Sequence, residues 1–129
     1  MTRRALATTA APSAVGPYSQ GISTDDLVFC SGQVGLDPAT GELVAGGVEA
    51  QCERAIRNLE AVLDAGGCTL ADVVKTTVFL VDIADFAAVN ARYARFFPDP
   101  PPARSTFAVA ALPKEARIEI EAIAVRGRA

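Results

Sequence analysis

The 129-residue sequence contains no histidine, no tryptophan and only three cysteines. The absence of histidine removes the usual general base, the commonest zinc ligand, and every Ser-His or Cys-His catalytic arrangement. Cys30, Cys52 and Cys68 form no Cys-x-x-Cys pair, so they predict neither a zinc site nor a disulfide framework. Any proton transfer must therefore fall to carboxylates, tyrosine, lysine or water.

The sequence also lacks an excess of positive charge and a long apolar run. Its 12 Lys and Arg residues stand against 15 Asp and Glu, for a net charge of −3, so a surface that neutralises nucleic-acid phosphates is not expected. The N-terminal residues do not form the apolar run of a signal peptide, and no segment reaches the roughly 18 apolar residues of a membrane span. We expect a cytoplasmic protein that binds neither nucleic acid nor membrane.

Half of the residues are apolar, and a chain of this length can bury one hydrophobic core but is too short for a second domain. We therefore predict a single domain over residues 1–129. Apolar side chains at three- and four-residue spacing predict a helix from Val48 to Ala65, with a stop at Gly66-Gly67. A second helix is predicted after Asp82 as its cap, broken by the prolines of 98–102.

The residues from Val73 to Val81 are mostly β-branched and nearly continuous in hydrophobicity, which is typical of a central strand covered on both faces. Four further strands are predicted within 5–14, at 27–31, at 104–110 and at 117–125. The predicted order is β, β, α, β, α, β, β. Because two helices cannot cover both faces of such a sheet, one face is expected to pack against other subunits.

Two polar positions could carry chemistry. Arg104 follows the proline loop at the start of a strand, where its guanidinium could bind a carboxylate bidentately. Taken alone, the position favours a surface arginine whose stem covers apolar neighbours. Glu119 and Glu121 alternate with isoleucines, so both carboxylates share one strand face. That face is either solvated or places a carboxylate in a cleft, where it could hold or polarise water.

Three shorter segments could likewise either bind a ligand or have only a structural role. Tyr18 lies between two glycines that could bring its phenol close to a ligand, and a plain turn explains them equally well. Ser31 and Gly32 end a strand, which is a common place for ligand groups. Asn90, on the second helix, is by default a solvated or capping amide, and Cys30 is more typical of a core than of a nucleophile.

Taken together, these segments resemble the RidA/YjgF family over nearly the whole chain. Several separated motifs in the same order are far more specific than any one of them. They are Gly-Pro-Tyr-Ser-Gln-Gly at 16–21, Ser-Gly-Gln at 31–33, Val-Lys-Thr-Thr-Val-Phe-Leu at 74–80, Val-Asn-Ala-Arg-Tyr at 89–93, Pro-Ala-Arg-Ser-Thr at 102–106 and Ile-Glu-Ile-Glu-Ala-Ile-Ala at 118–124.

The resemblance implies an α+β, chorismate-mutase-like fold, with a mixed sheet, two helices packed on one face, and a homotrimer with clefts between subunits. It also implies a deaminase that hydrolyses 2-aminoacrylate, 2-iminopropanoate and 2-iminobutanoate to 2-oxo acids and ammonia, without a metal or organic cofactor. Arg104 would bind the substrate carboxylate and Glu119 would position or activate the attacking water. The other residues expected to line the cleft are Tyr18, Ser31, Gly32, Asn90 and Thr106.

Two other functions are compatible with the same clefts. The first is a trimer without catalytic activity that binds small carboxylates or acts as a chaperone. The second is an endoribonuclease, which is less expected because the chain is acidic and contains two Tyr, no Trp and no His.

Overall fold

A six-stranded mixed sheet with two helices on one face forms the fold of residues 2–126, the part of the chain that the computed structural model describes. The outermost ends of the predicted 1–129 domain, residue 1 and residues 127–129, lie outside this part. The strands are β1 (Arg4–Leu6), β2 (Gly21–Ser23), β3 (Leu27–Val34), β4 (Val73–Leu80), β5 (Ala103–Ala108) and β6 (Ile118–Val125), and the helices are α1 (Gly47–Ala65) and α2 (Phe86–Tyr93).

The strand order across the sheet is β1-β2-β3-β6-β4-β5. Every neighbouring pair is antiparallel except β4 and β5, which are parallel and joined by the crossover that contains α2. The predicted α+β fold with a mixed sheet and two helices is therefore confirmed. Neither α1 nor α2, the two α-helices of residues 2–126, is long and apolar enough to cross a membrane.

The structure corrects two predicted elements. The predicted order missed β2, which has three residues and only one large apolar side chain, Ile22, too short for a periodic pattern. The second helix is shorter than predicted, because Asp82 caps a 3₁₀ turn at Ile83–Asp85 and the α-helix begins only at Phe86. The Asp82 carboxylate accepts a hydrogen bond from the Ala84 amide at 2.9 Å.

The hydrophobic core lies between α1 and the sheet. Strand β6 places Ile118 and Ile120 against the helices, and Val78 of β4 lies opposite Ile120 in the antiparallel register. These three side chains and Leu59 of α1 are fully buried. Because side chains alternate along a strand, this burial directs the intervening residues of β6 to the other face of the sheet.

The face of the sheet that the helices leave uncovered carries aromatic side chains. Phe29 of β3 is 40% exposed and Phe107 of β5 is 45% exposed. Phe107 packs edge-on against Phe79 of β4, with ring centroids 5.1 Å apart. Exposed aromatic side chains on an uncovered sheet face are typical of a surface that a partner covers.

Replacing Ile120 by alanine tests the core between α1 and the sheet. The substitution removes buried methyl groups and leaves a cavity, so we expect the free energy of unfolding to fall by about 2–5 kcal/mol. Ile83→Ala is the matched control, because Ile83 is 54% exposed, and it should change stability by less than about 0.5 kcal/mol. Urea denaturation at equal protein concentration measures both, and equal losses would contradict this assignment of the core.

Candidate active site

The predicted site residues lie in two groups. Tyr18, Ser31, Gly32 and Glu119 line one cavity of about 570 Å³, which we call the Glu119 cavity. Asn90 and Arg104 line a second cavity of about 520 Å³ between α2, the proline loop and β5, the Arg104 cavity. Thr106 follows Arg104 by two residues on β5 and therefore shares its face of the sheet.

Arg104 projects toward the helix-covered face of the sheet. In the parallel register it lies opposite Thr76 of β4, which is fully buried. Its guanidinium carbon lies 4.9 Å from the ring centroid of Tyr93 and 5.5 Å from that of Phe86, both on α2. Within residues 2–126 the Arg104 guanidinium has no hydrogen bond and no ion pair, so aromatic rings support it while its donors stay available.

Tyr93 gives this support a fixed geometry. Its hydroxyl lies 2.6 Å from the Thr76 hydroxyl in a buried hydrogen bond. Its ring packs against Phe97 with centroids 4.5 Å apart. Burial raises the pKa of Tyr93, so the phenol stays neutral beside the Arg104 cation.

Two residues near Arg104 carry a buried polar atom. Asn90 lines the same cavity, and Thr106 follows Arg104 by two residues on β5. The side-chain oxygens of Asn90 and Thr106 are buried without a hydrogen-bond partner in residues 2–126. A buried polar atom left unpaired costs free energy, and a native protein usually satisfies it with water, a ligand or another chain. The Arg104 cavity therefore combines a cation that has no ion pair in residues 2–126 with the side chain of Asn90, whose oxygen still requires a partner.

Glu119 lies on the opposite face of the sheet. It stands opposite Val34 of β3 and Phe79 of β4. The neighbouring Gly32 falls where the β3–β6 register shifts, and a Cβ atom at this position would collide with the Glu119 carboxylate. Glycine is needed here for close approach, and it allows the carboxylate to lie against the β3 backbone.

The surroundings of Glu119 disfavour its charged form. Glu119 is half-buried, and burial is the main cause that raises its pKa, with a further contribution from the neighbouring carboxylate of Glu121. A carboxylate with a raised pKa that lines a cavity is a physical candidate for a general base. Lys114, the cation that lines the same cavity, has a left-handed backbone with φ 60°.

Tyr18 and Ser31 are connected through the chain between them. The Ser31 hydroxyl donates a 2.6 Å hydrogen bond to the Ser19 carbonyl and holds the Tyr18 segment against the end of β3. The Tyr18 phenol oxygen accepts a 3.3 Å hydrogen bond from the Val15 amide. Tyr18 is 54% exposed and lines the Glu119 cavity.

The structure brings together the members of each group but not the two groups. Arg104 points to the helix-covered face and Glu119 to the uncovered face, so one chain does not place them around one ligand. Sequence reasoning missed Phe86 and Tyr93, because their helical spacing indicated only a core face. It also missed Gln20, whose position inside the Gly-Pro-Tyr-Ser-Gln-Gly motif was the available signal.

The cysteines do not supply a nucleophile to either cavity. Burial raises the pKa of Cys30 and of Cys52 to about 12, so both thiols stay protonated near neutral pH. Within residues 2–126, no group of three or more Cys, Asp and Glu side chains is arranged to hold a metal ion. Among the groups that line the two cavities, a guanidinium such as that of Arg104 can bind a carboxylate, and a carboxylate such as that of Glu119 can transfer a proton.

Known proteins resemble this chain over almost its full length. The family profile described as endoribonuclease L-PSP matches residues 8–126. The mouse 2-iminobutanoate/2-iminopropanoate deaminase is 51% identical over 97% of this chain and 93% of its own length.

Two solved structures from Escherichia coli share the fold. The YjgF gene product is 46% identical with a TM-score of 0.90, and the match covers 96% of this chain and 99% of that one. TdcF with bound serine is 41% identical with a TM-score of 0.91, over the same shares of the two chains. On this evidence the chain belongs to the endoribonuclease L-PSP family, which is the RidA/YjgF family that its motifs resemble.

Proposed function

We propose that this protein is a 2-iminobutanoate/2-iminopropanoate deaminase, which hydrolyses these imines and the related 2-aminoacrylate enamine to 2-oxo acids and ammonia. The observation that carries the proposal is the Arg104 guanidinium, held on two aromatic rings with no counter-ion in residues 2–126. A relative that is 51% identical bears the name of this activity.

Arg104 would bind the substrate carboxylate. A guanidinium offers two parallel N–H donors that match the two oxygens of a carboxylate. Because Tyr93 and Phe86 are neutral, they orient the cation without competing for those donors. The unpaired oxygens of Asn90 and Thr106 would complete the polar surroundings of the substrate.

Glu119 would hold and activate the attacking water. An enamine first tautomerises to the imine, and the water oxygen then adds to the carbon of the C=N bond while the Glu119 carboxylate accepts a proton. Return of that proton to the nitrogen gives a carbinolamine, which carries a hydroxyl and an amino group on the same carbon. Glu119 then transfers the hydroxyl proton to the amino nitrogen, so the C=O bond of the 2-oxo acid forms as the C–N bond breaks and ammonia leaves. Orientation and modest charge stabilisation suffice, because such imines already react with water.

The two groups of residues would meet between subunits of a cytoplasmic homotrimer of the chorismate-mutase-like type, each subunit a single domain of residues 1–129. The placement of Arg104 and Glu119 on opposite sheet faces supports this arrangement, because a neighbouring chain can bring one group to the other. The exposed Phe29 and Phe107 on the uncovered face support it as well. Each cleft would then combine Arg104 of one subunit with Glu119 of the next.

The Arg104→Ala substitution tests the binding of the substrate carboxylate by Arg104. We expect kcat/KM to fall by about 100-fold or more, because two charge-assisted hydrogen bonds are lost. The matched control is Arg95→Ala, since Arg95 is exposed and its side chain makes no hydrogen bond or ion pair in residues 2–126.

The assay generates 2-imino acids in situ and measures the loss of semicarbazide trapping. Activity that survives Arg104→Ala would contradict carboxylate binding by Arg104 but would not contradict the deaminase activity. Equal rates with and without the wild-type protein would contradict the deaminase function and favour a binding role.

Glu119→Gln tests the water-activating carboxylate through pH dependence. The active form of Glu119 is the carboxylate, so activity should fall as pH drops through its pKa. Because burial raises that pKa, the acid limb of the kcat/KM profile should lie at higher pH than for an ordinary glutamate. In Glu119→Gln the remaining activity should be low and this limb should be absent, and an unchanged limb would assign it to another group.

Mixing the two inactive variants tests the shared cleft. In a cyclic trimer, randomly mixed Arg104→Ala and Glu119→Gln subunits restore an intact pair at about one quarter of the clefts. Selection for both tags removes trimers of a single variant, and each remaining cyclic trimer has one intact pair among its three clefts. We therefore expect co-expressed, doubly tagged trimers to recover about a third of the wild-type rate, while each variant alone stays inactive. No recovery in trimers shown by mass spectrometry to contain both variants would contradict a cleft built from two subunits.

A further inference from the structure

The side-chain amide of Gln20 is buried between the N-terminal segment and the start of β2. Its oxygen accepts a 2.7 Å hydrogen bond from the Thr8 amide, and its nitrogen donates to the Thr8 carbonyl at 3.0 Å. The same nitrogen also donates to the carbonyls of Pro12 at 2.7 Å and Ala11 at 3.3 Å. Gln20 is only 6% exposed, so water competes little for these bonds.

These bonds take the place of a strand pair. The β1–β2 ladder ends where Leu6 lies opposite Gly21. Beyond that point the Gln20 side chain exchanges a donor and an acceptor with Thr8, as a backbone peptide of a neighbouring strand would. The segment from Thr8 to Pro12, which lies outside the strands, is thus held to the sheet by one side chain and by the buried Ala11.

The held segment leads directly into one wall of the Glu119 cavity. Pro12, Ser13 and Val15 line this cavity together with Tyr18 and the Glu119 carboxylate. Val15 is 85% exposed, so its packing does little to fix the wall. The hydrogen bonds of Gln20 supply the positional constraint that packing does not.

We propose that Gln20 is a positioning residue for the deaminase, which clamps residues 8–12 and thereby fixes the wall of the cavity that faces Glu119. The role of Gln20 in catalysis rests on the proposed function. Gln20 also lines this cavity itself, but its four side-chain hydrogen bonds all go to residues 8–12. It acts by keeping Pro12, Ser13 and Val15 in place while the substrate binds.

The residue type fits this role. Three of the four contacts need an N–H donor and one needs an acceptor. A neutral carboxamide supplies both kinds of group, and because it has two N–H donors, one of them is shared between two carbonyls. A carboxylate at this position would face three carbonyl oxygens without a donor, and an apolar side chain would leave buried peptide groups unpaired. Either change should release the segment while Pro12, Ser13, Val15 and Tyr18 are themselves unchanged.

The test compares Gln20→Met with Gln51→Met. Gln51, on α1, is also 6% exposed, and it makes one hydrogen bond, from the Arg117 amide at 2.8 Å. Both variants remove a buried carboxamide of similar size, so both should lower the Tm. We expect only Gln20→Met to raise the hydrogen-exchange rate of the Thr8 amide, by about tenfold or more.

The kinetic readout separates positioning from stability. With a loosened wall the substrate binds less well, so KM for the imine should rise about fivefold to tenfold in Gln20→Met. KM does not depend on the fraction of folded enzyme, so a purely structural role would lower the rate without moving KM. Gln51→Met should keep the wild-type KM, and Gln20→Glu should behave as Gln20→Met does.

Three outcomes would overturn the proposal. Unchanged exchange of Thr8 in Gln20→Met would show that the clamp does not hold the segment, and faster exchange with an unchanged KM would show that the wall does not matter for the substrate. An equal rise in KM in Gln51→Met would assign the effect to core loosening. An inactive wild-type protein would overturn the proposed function and the catalytic role together, while Thr8 exchange still decides whether the clamp exists.

Discussion

The burial of Ile118 and Ile120 beneath α1 is the constraint on which the rest of the structure depends. It sets the register of β6, the strand that pairs with both β3 and β4. A slip of one residue would place two glutamates in the core, where an unpaired charge is strongly disfavoured. The same constraint therefore holds Glu119 on the uncovered face, beside the glycine of β3 that leaves room for its carboxylate.

The separation of Arg104 from Glu119 follows from this register and from the parallel pairing of β4 with β5. The two charges occupy opposite faces of one sheet, so neither neutralises the other within a chain. Each remains in a state suited to its proposed role. Arg104 rests on uncharged rings with no ion pair in residues 2–126, and Glu119 has a raised pKa because burial and the neighbouring Glu121 carboxylate both disfavour its charged form.

The long periodic elements could be predicted from the sequence and the short ones could not. The helix predicted at 48–65 and the strand predicted at 73–81 agree with the structure to within a residue or so, because many side chains repeat one pattern. Strand β2 escaped prediction because its three residues gain their pairing from β1 and β3, not from a pattern of their own. The second helix begins at Phe86, later than predicted, because Asp82 caps a 3₁₀ turn that precedes it. Local hydrogen bonds stabilise this turn.

For the site, the sequence by itself determined the residue types and their order: an arginine after a proline loop, glutamates alternating with isoleucines, and motifs that identify the family. Only the tertiary structure decided that Tyr93 and Phe86 support Arg104, that Gly32 makes room for Glu119 and that Gln20 holds residues 8–12. The physical reason is that each of these contacts joins side chains of different elements, which no local sequence pattern pairs. Such contacts exist only when the fold packs those elements against one another.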